Sequence, residues 1–250
     1  MKVDTITSRD EVYNAPTIPW NNGTYTPVSN KMVMDLIEGR LKQNHLIIKK
    51  EHYRTARTDK GIIKGVIGGY DIEADDASFG QRVMFRNSYD KSMSFAMVCG
   101  MVVWICENGC VSGDYQYRRI HRGAFLETGL STTIEDIIEN IDGGLKQLNA
   151  AFEHNVIQLN DMKDIDVSPK DAYQVLGELF FNQEVVSINQ MSIIKKEMQF
   201  SQHFKHIGDK DFTAYDLYNH ITESLKKSHP ITYIRDHIKT HKLFEQTFNV

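Results

Sequence analysis

Residues 46–73 read LIIKKEHYRTARTDKGIIKGVIGGYDIE. Two runs rich in β-branched and aromatic residues flank Arg57-Thr58-Asp59-Lys60-Gly61. A glycine-containing connection between such runs predicts an antiparallel hairpin. Side chains alternate across a strand, so Lys50, His52 and Arg54 fall on one face of the first run. In the second run Ile62, Val66, Tyr70 and Ile72 share a face. Gly65, Gly68 and Gly69 mark a bulge or a close approach of backbone. The acidic residues Asp71, Glu73, Asp75 and Asp76 read as the turn that follows.

Working outward, Gln81–Ser88 alternates again. Val83 and Phe85 point one way, and Arg82, Met84 and Arg86 the other. Ser92–Cys106 is apolar on both alternating sets, the mark of a central strand covered on both faces. Its Val102-Val103-Trp104-Ile105 favours strand over helix. Glu107-Asn108-Gly109 is a turn signal, and Tyr115–Arg122 a short basic strand or loop. Upstream, residues 1–30 read as an extended arm with turns at Asn22-Gly23 and Pro27. Ser29 or Asn30 then caps a helix from Lys31 to about Leu41.

Past Gly123 the period becomes helical. Ser131/Thr132 with Glu135 resembles a capping box opening a helix to about Val156, weakest at Gly143-Gly144. Ser168-Pro169 opens the next helix. Ser187 opens another through Phe200, Thr213 one to Lys227, and Thr232 the last, to Phe244. The fold expected is α+β: a mainly antiparallel sheet of about five strands with a long basic hairpin, then a helical C-terminal half. Residues 31–250 form one domain, sheet-rich over 43–122 and helical over 131–245, behind the arm 1–30.

The formal net charge of −4 over 250 residues hides a segregation. Residues 1–39 carry −2, residues 40–122 carry +5, and residues 123–250 carry −7. The total excludes a uniformly basic nucleic-acid binder, but the split permits a basic face on the sheet. With 12 Phe and 11 Tyr the chain has too many core formers to be disordered. The N-terminus has no apolar run of leader length, and the longest apolar-rich stretch is too short to cross a bilayer, so a cytoplasmic, non-membrane protein is expected. Cys99, Cys106 and Cys110 are then expected to be reduced.

Four patches together carry a resemblance. They are Asn87-Ser88-Tyr89-Asp90-Lys91-Ser92, then Trp104-Ile105-Cys106-Glu107-Asn108-Gly109. The third is Arg118-Arg119-Ile120-His121-Arg122, and the last Thr213-Ala214-Tyr215-Asp216-Leu217-Tyr218-Asn219-His220-Ile221-Thr222-Glu223. Their order and spacing resemble the phage/plasmid-like family called domain of unknown function 932, over roughly residues 15–245. Tyr89 and Lys91 stand where family members usually have His and Gly, and Ile120 separates an Arg-His pair. The resemblance implies a phage or mobile-element setting and supplies no activity. It makes Asn87, Ser88, Asp90, Cys106, Asn108, His121, Asn219 and Glu223 candidate motif residues.

The basic hairpin is the strongest candidate for chemistry. Lys49, Lys50, Arg54, Arg57 and Lys60, with Tyr53 and Tyr70 interleaved, suit single-stranded DNA or RNA, where cations track phosphates and aromatic faces stack bases. Arg118, Arg119 and Arg122 extend that surface where the strands are neighbours, as do Arg82 and Arg86. The alternative is a solvated hairpin, or cations paired with the acidic helices. Cys106, Cys110 and His121 form a loose cluster short of a zinc ligand set. Asp216, His220 and Glu223 share a helix face. Ser88 is a nucleophile only where a base such as His52 or His121 lies close. Asn219, when buried, is expected to fix its helix against a neighbour.

The expected function is a non-enzymatic phage protein binding single-stranded nucleic acid, as a homo-oligomer, with no catalytic residue, metal or cofactor. A module that docks a host or defence protein is the alternative, and a metal-dependent hydrolase the third.

Overall fold

The computed structural model describes residues 3–4, 6–17, 27–90, 92–111, 116–119 and 131–250. The N-terminal half is an antiparallel sheet. Its strands are β1 (Val3–Asp4), β2 (Ile48–Arg57), β3 (Ile63–Ile72), β4 (Phe79–Ser88), β5 (Phe95–Val103), β6 (Asn108–Cys110) and β7 (Gln116–Arg119). They run in the order β1-β2-β3-β4-β5, and the far edge of β5 is shared by β6 and β7. The expected antiparallel sheet of about five strands is β2–β5 with β7, and the very short β1 and β6 add pairings at its edges.

The helices are α1 (Arg9–Tyr13), α2 (Asn30–Gln43), α3 (Ser131–Lys146), α4 (Leu148–Asp161), α5 (Pro169–Gly177), α6 (Ile188–Phe200), α7 (Ala214–Leu225) and α8 (Tyr233–Phe248). The fold is α+β, as the sequence indicates. Local capping explains most helix starts. Ser29 accepts the backbone N–H of Met32, and Ser168 that of Asp171, one residue before Pro169 opens α5. Ser187 with Gln190 and Thr213 with Asp216 form reciprocal capping boxes. Among the described residues no helix is long and apolar enough to cross a membrane.

Three expectations need correction. The arm 1–30 is not wholly extended: Ser8 caps α1, which buries Val12. The helix expected from 131 to 156 breaks at Gln147, beyond the two glycines. The turn placed at Glu107-Asn108-Gly109 occupies Trp104–Glu107 instead, and Asn108–Cys110 is strand.

The two faces of the sheet have different coverings. On one, Tyr53, Val66, Tyr70, Val83, Phe85 and Met97 meet Val33, Met34, Ile37 and Leu41 of α2, Ile137 and Ile141 of α3, and Leu148 and Ala151 of α4. Gly68 belongs to this face: a Cβ there would lie 2.2 Å from the Phe85 ring, so the ring rests on bare backbone. At the far end, Phe79, Met101, Val103 and Cys110 join a second core built from α4 to α8. On the opposite face, Ile67, Met84 and Val98 pack under Tyr233 and Ile234 of α8.

Candidate anion-binding cleft

The α8 side of the sheet carries the charge. Strand register aligns Lys50, Asp71 and Arg82 in one row, His52, Gly69 and Met84 in the next, and Arg54, Ile67 and Arg86 in a third. Directly opposed residues in a pleated pair share a face. Beside α8 this surface opens into a cleft of about 350 Å3, whose lining includes Lys50, His52, Arg54, Gly69, Arg82, Glu107, Lys226 and Tyr233.

The cleft floor is a buried ion pair. The Arg82 and Asp71 side chains are 5% and 1% exposed. Arg82 Nε donates to Asp71 Oδ1 at 2.5 Å, and Nη2 to Oδ2 at 2.9 Å. Burial by itself pushes the Asp71 carboxyl up, but Arg82 and His52 outweigh it and hold the group down at about 2. His52 Nε2 lies 2.6 Å from Asp71 Oδ2. An ionised carboxylate only accepts, so that nitrogen carries the proton. Both terminal nitrogens of Arg82 also reach the Glu107 carbonyl at 3.4 Å. Glu107 adopts a left-handed backbone, φ 59°, uncommon for a residue with a Cβ. Gly109 completes the seat, since a Cβ there would lie 2.8 Å from Arg82 Nη1.

The cations of the cleft differ in their partners. Lys50 pairs with Glu107. Lys226 Nζ donates to Glu223 at 2.5 Å and to the Cys106 carbonyl at 2.6 Å. Arg54 has no carboxylate partner among the described residues. Its guanidinium lies 4.7 Å over the Tyr233 ring, and its buried Nη1 has no hydrogen-bond acceptor. Burial lowers its pKa from the ordinary value, and the charge of Arg82 adds to that. Beneath them His237 is 1% exposed. Burial, then Arg82 and Arg54, push its pKa down to about 3, so it is neutral.

The residues expected at the site are thus partly gathered and partly dispersed. Lys50 and Arg54 line the cleft. Lys49 pairs with Glu73 at 2.9 Å on the hairpin surface. Arg57 is held by Glu11 at 2.6 Å and by the Gly61 carbonyl. Lys60 is exposed at the hairpin turn. Tyr53 and Tyr70 are corrected: their residues are 4% and 0% exposed, against the helix-covered face, and their hydroxyls meet Glu51 and Glu38. Neither ring is available to stack on a base. Arg118 and Arg119 sit on β7 opposite Ala96 and Phe95, which places Arg118 in the Arg54–Ile67–Arg86 row. His121 and Arg122 lie outside the described residues.

The motif residues hold the fold together. Asn87 Nδ2 donates to the Val28 carbonyl and to Asn30 Oδ1. Ser88 bonds both backbone groups of Met93, and Asp90 accepts from the Ser92 N–H and pairs with Lys64. Ser88 pairs with Gly65 and His52 with Gly69, four positions apart on β3, or about 13 Å at the rise of a strand. His52 is therefore no base for Ser88. Asn108 Nδ2 donates to the Asn219 carbonyl at 3.0 Å, so two motifs 111 residues apart clasp α7 to β6. Asn219 is fully buried and fixes its helix, as expected. Cys106 lies beside it, its thiol pushed up to about 11 by burial.

Asp216, His220 and Glu223 do not converge. Asp216 caps Thr213, His220 Nε2 meets the Lys205 carbonyl at 2.8 Å, and Glu223 pairs with Lys226. Among the described residues no three His, Cys, Asp or Glu side chains are placed to hold a metal ion. The acid partners of the basic segment come chiefly from its own half. Arg40–Asp142 is an ion pair from residues 40–122 that does reach a carboxylate of the acidic helices.

The sequence model of the family described as Domain of unknown function (DUF932) matches residues 21–247. The chain belongs to this family. Comparison with curated proteins and with solved structures returned no match. In this DUF932 chain Glu107, from the motif around Cys106, lines the cleft, and Lys226, three residues past the last motif, lines it too and reaches the Cys106 carbonyl. Asp71, Glu107, Lys226, Tyr233 and His237 are the site residues that motif reading misses. The available signal for Asp71 was parity, since it falls on the face of β3 opposite Val66 and Tyr70.

Proposed function

We propose that this chain binds single-stranded nucleic acid and seats a phosphate of that ligand in the cleft. The observation that supports the reading is Arg54, a largely covered guanidinium with no carboxylate partner among the described residues, set in a cleft whose other cations are already matched. A guanidinium offers a planar fork that fits a phosphate oxygen pair. The excess of +5 over residues 40–122 draws a polyanion toward the same half. A phage or mobile-element setting in a bacterial cytoplasm, with several copies on one strand, goes with this reading.

The test is fluorescence anisotropy with a labelled single-stranded oligonucleotide at increasing salt. The log–log slope is expected near −0.7 per phosphate contacted. Arg54→Gln is expected to weaken binding about 10- to 100-fold, the worth of a buried charged hydrogen bond. No binding at low salt sinks the proposal.

A second reading, a module that docks a host protein, draws on exposed Tyr173, Phe181 and Ile188 in the helical half. It predicts that a host protein co-purifies with the wild type and is lost from the Phe181→Ala, Ile188→Ala double variant.

A further inference from the structure

The cleft contains more than an anion seat. His52 is the one imidazole among its described lining residues, and its side chain is 34% exposed. Nε2 is committed to Asp71, which is locked in turn by the two-pronged Arg82 pair. In the neutral ring, a carboxylate that fixes one nitrogen as the donor leaves the other as a free lone pair. That is how a buried acid prepares a histidine as general base. Nδ1 has no hydrogen-bond partner among the described residues. Arg54, two positions along the same strand face, is the neighbouring group able to hold an oxyanion. Base, orienting acid and oxyanion holder therefore occupy adjoining rows of one rigid sheet. This placement is costly. A buried Asp–Arg pair is at best neutral for stability against apolar packing. Gly109 is kept without a side chain and Glu107 in a left-handed turn to seat Arg82.

We infer that the His52–Asp71 pair is the general-base unit of a phosphodiester hydrolysis performed on the ligand that Arg54 seats, an inference that rests on the binding reading above. A water molecule attacks phosphorus while His52 Nδ1 takes one of its protons. The P–O bond to the leaving nucleoside breaks with its electron pair on that oxygen, which takes a proton from solvent. The imidazolium returns its proton to water. One water and one diester give one phosphate monoester and one alcohol, with no change of oxidation state. Asp71 acts through His52 and is a positioning residue. Arg54 neutralises the charge that builds on the non-bridging oxygens.

The experiment uses the full chain in EDTA with two probes: bis(p-nitrophenyl) phosphate, and a 5′-labelled single-stranded oligonucleotide followed for both binding and cleavage. The wild type is expected to turn over both. His52→Gly is expected to lose turnover about 10²- to 10⁴-fold, the usual worth of a general base, and to regain it with added imidazole. Imidazole rescue separates catalysis from folding, because a structural defect does not respond to a small base. Asp71→Asn is expected to lower kcat with little change in KM, the mark of a group that acts on the chemical step. Binding of the oligonucleotide with no turnover of either probe overturns the hydrolysis and leaves the binding reading standing. Turnover of the small diester without oligonucleotide binding upholds the hydrolysis and sinks the nucleic-acid reading. A His52→Gly variant as active as the wild type overturns the assignment of the base.

Discussion

The two faces of the sheet are made by the same strands and do opposite work. Along β3, Val66, Tyr70 and Ile72 point into apolar packing under the N-terminal helix and the first long helices of the C-terminal half. The alternate residues Ile67, Gly69 and Asp71 point toward α8, and two of them meet charge or open space. On the first face a side chain is replaceable by anything of the right volume. On the second the buried Arg82 and Asp71 side chains are matched to each other, and removing one strands the other. The difference predicts that damage on the two faces will look alike in size and unlike in kind.

The largest effects test that directly. Phe85→Ala on the helix-covered face is expected to cost about 3–5 kcal/mol, the cost of a cavity in a packed core. Arg82→Ala on the other face is expected to cost about 3–5 kcal/mol by stranding Asp71. Urea unfolding reads both. The double variant Asp71→Leu, Arg82→Met separates them, because removing both charges should recover much of the loss. If it is no more stable than Arg82→Ala, the charged face is not a matched pair.

Acid is the next lever. His237 under the cleft and His241 in the helical core are held neutral, at about 3 and about 4. An unfolded histidine takes a proton below pH 6.5 while these do not, so stability falls as pH drops from 6.5 toward those values. Each contributes a slope of up to about 1.4 kcal/mol per pH unit. Asp71 is shifted in the same direction, in a lower pH window: its contribution is complete above its unfolded value near 4 and fades as pH falls toward 2. His237→Phe is expected to flatten the denaturation curve between pH 6 and 4. An unchanged slope would mean that this ring is not buried neutral.

Smaller effects sharpen the comparison within the charged face. Arg54→Gln is expected to leave stability within about 1 kcal/mol, since no ion pair is lost, while it removes ligand binding. Lys49→Ala breaks an exposed pair, with both partners about half accessible, and is expected to cost at most about 1 kcal/mol. Thermal melts with and without oligonucleotide check both. A large loss of stability in Arg54→Gln would make it a structural residue rather than a ligand group.

The hairpin, the alternation of β4 and the helix starts at Ser29, Ser168, Ser187 and Thr213 were legible because each signal is local. A capping side chain bonds within three residues of itself. Parity also separated Tyr53 from Lys50, His52 and Arg54. Counting all four as one surface read proximity in sequence as proximity in space. What was not legible depends on register or on distant chain. Asp71 reads as part of an acidic turn until pairing sets it opposite Arg82. The left-handed Glu107 leaves no mark in composition, because its support comes from Lys50 and Arg82. Asn108 and Asn219 stood out as motif residues, but their mutual hydrogen bond needs the fold. Gly143-Gly144 announced a weak point, but the break itself falls three residues later, at Gln147, whose N–H meets the Gly144 carbonyl.

The seating of Lys226 and Tyr233 over the sheet has a consequence for synthesis. Lys226 lies 120 residues after Cys106, the residue whose carbonyl it holds. At the usual pace of a ribosome that gap is roughly ten seconds. Throughout it, Ile67, Met84 and Val98 lack the helix that covers them, and Arg54 lacks the ring it lies on. Nascent chains stalled inside this window therefore offer a sticky strip to chaperones, and the surroundings of Arg54 are complete only with the final helix.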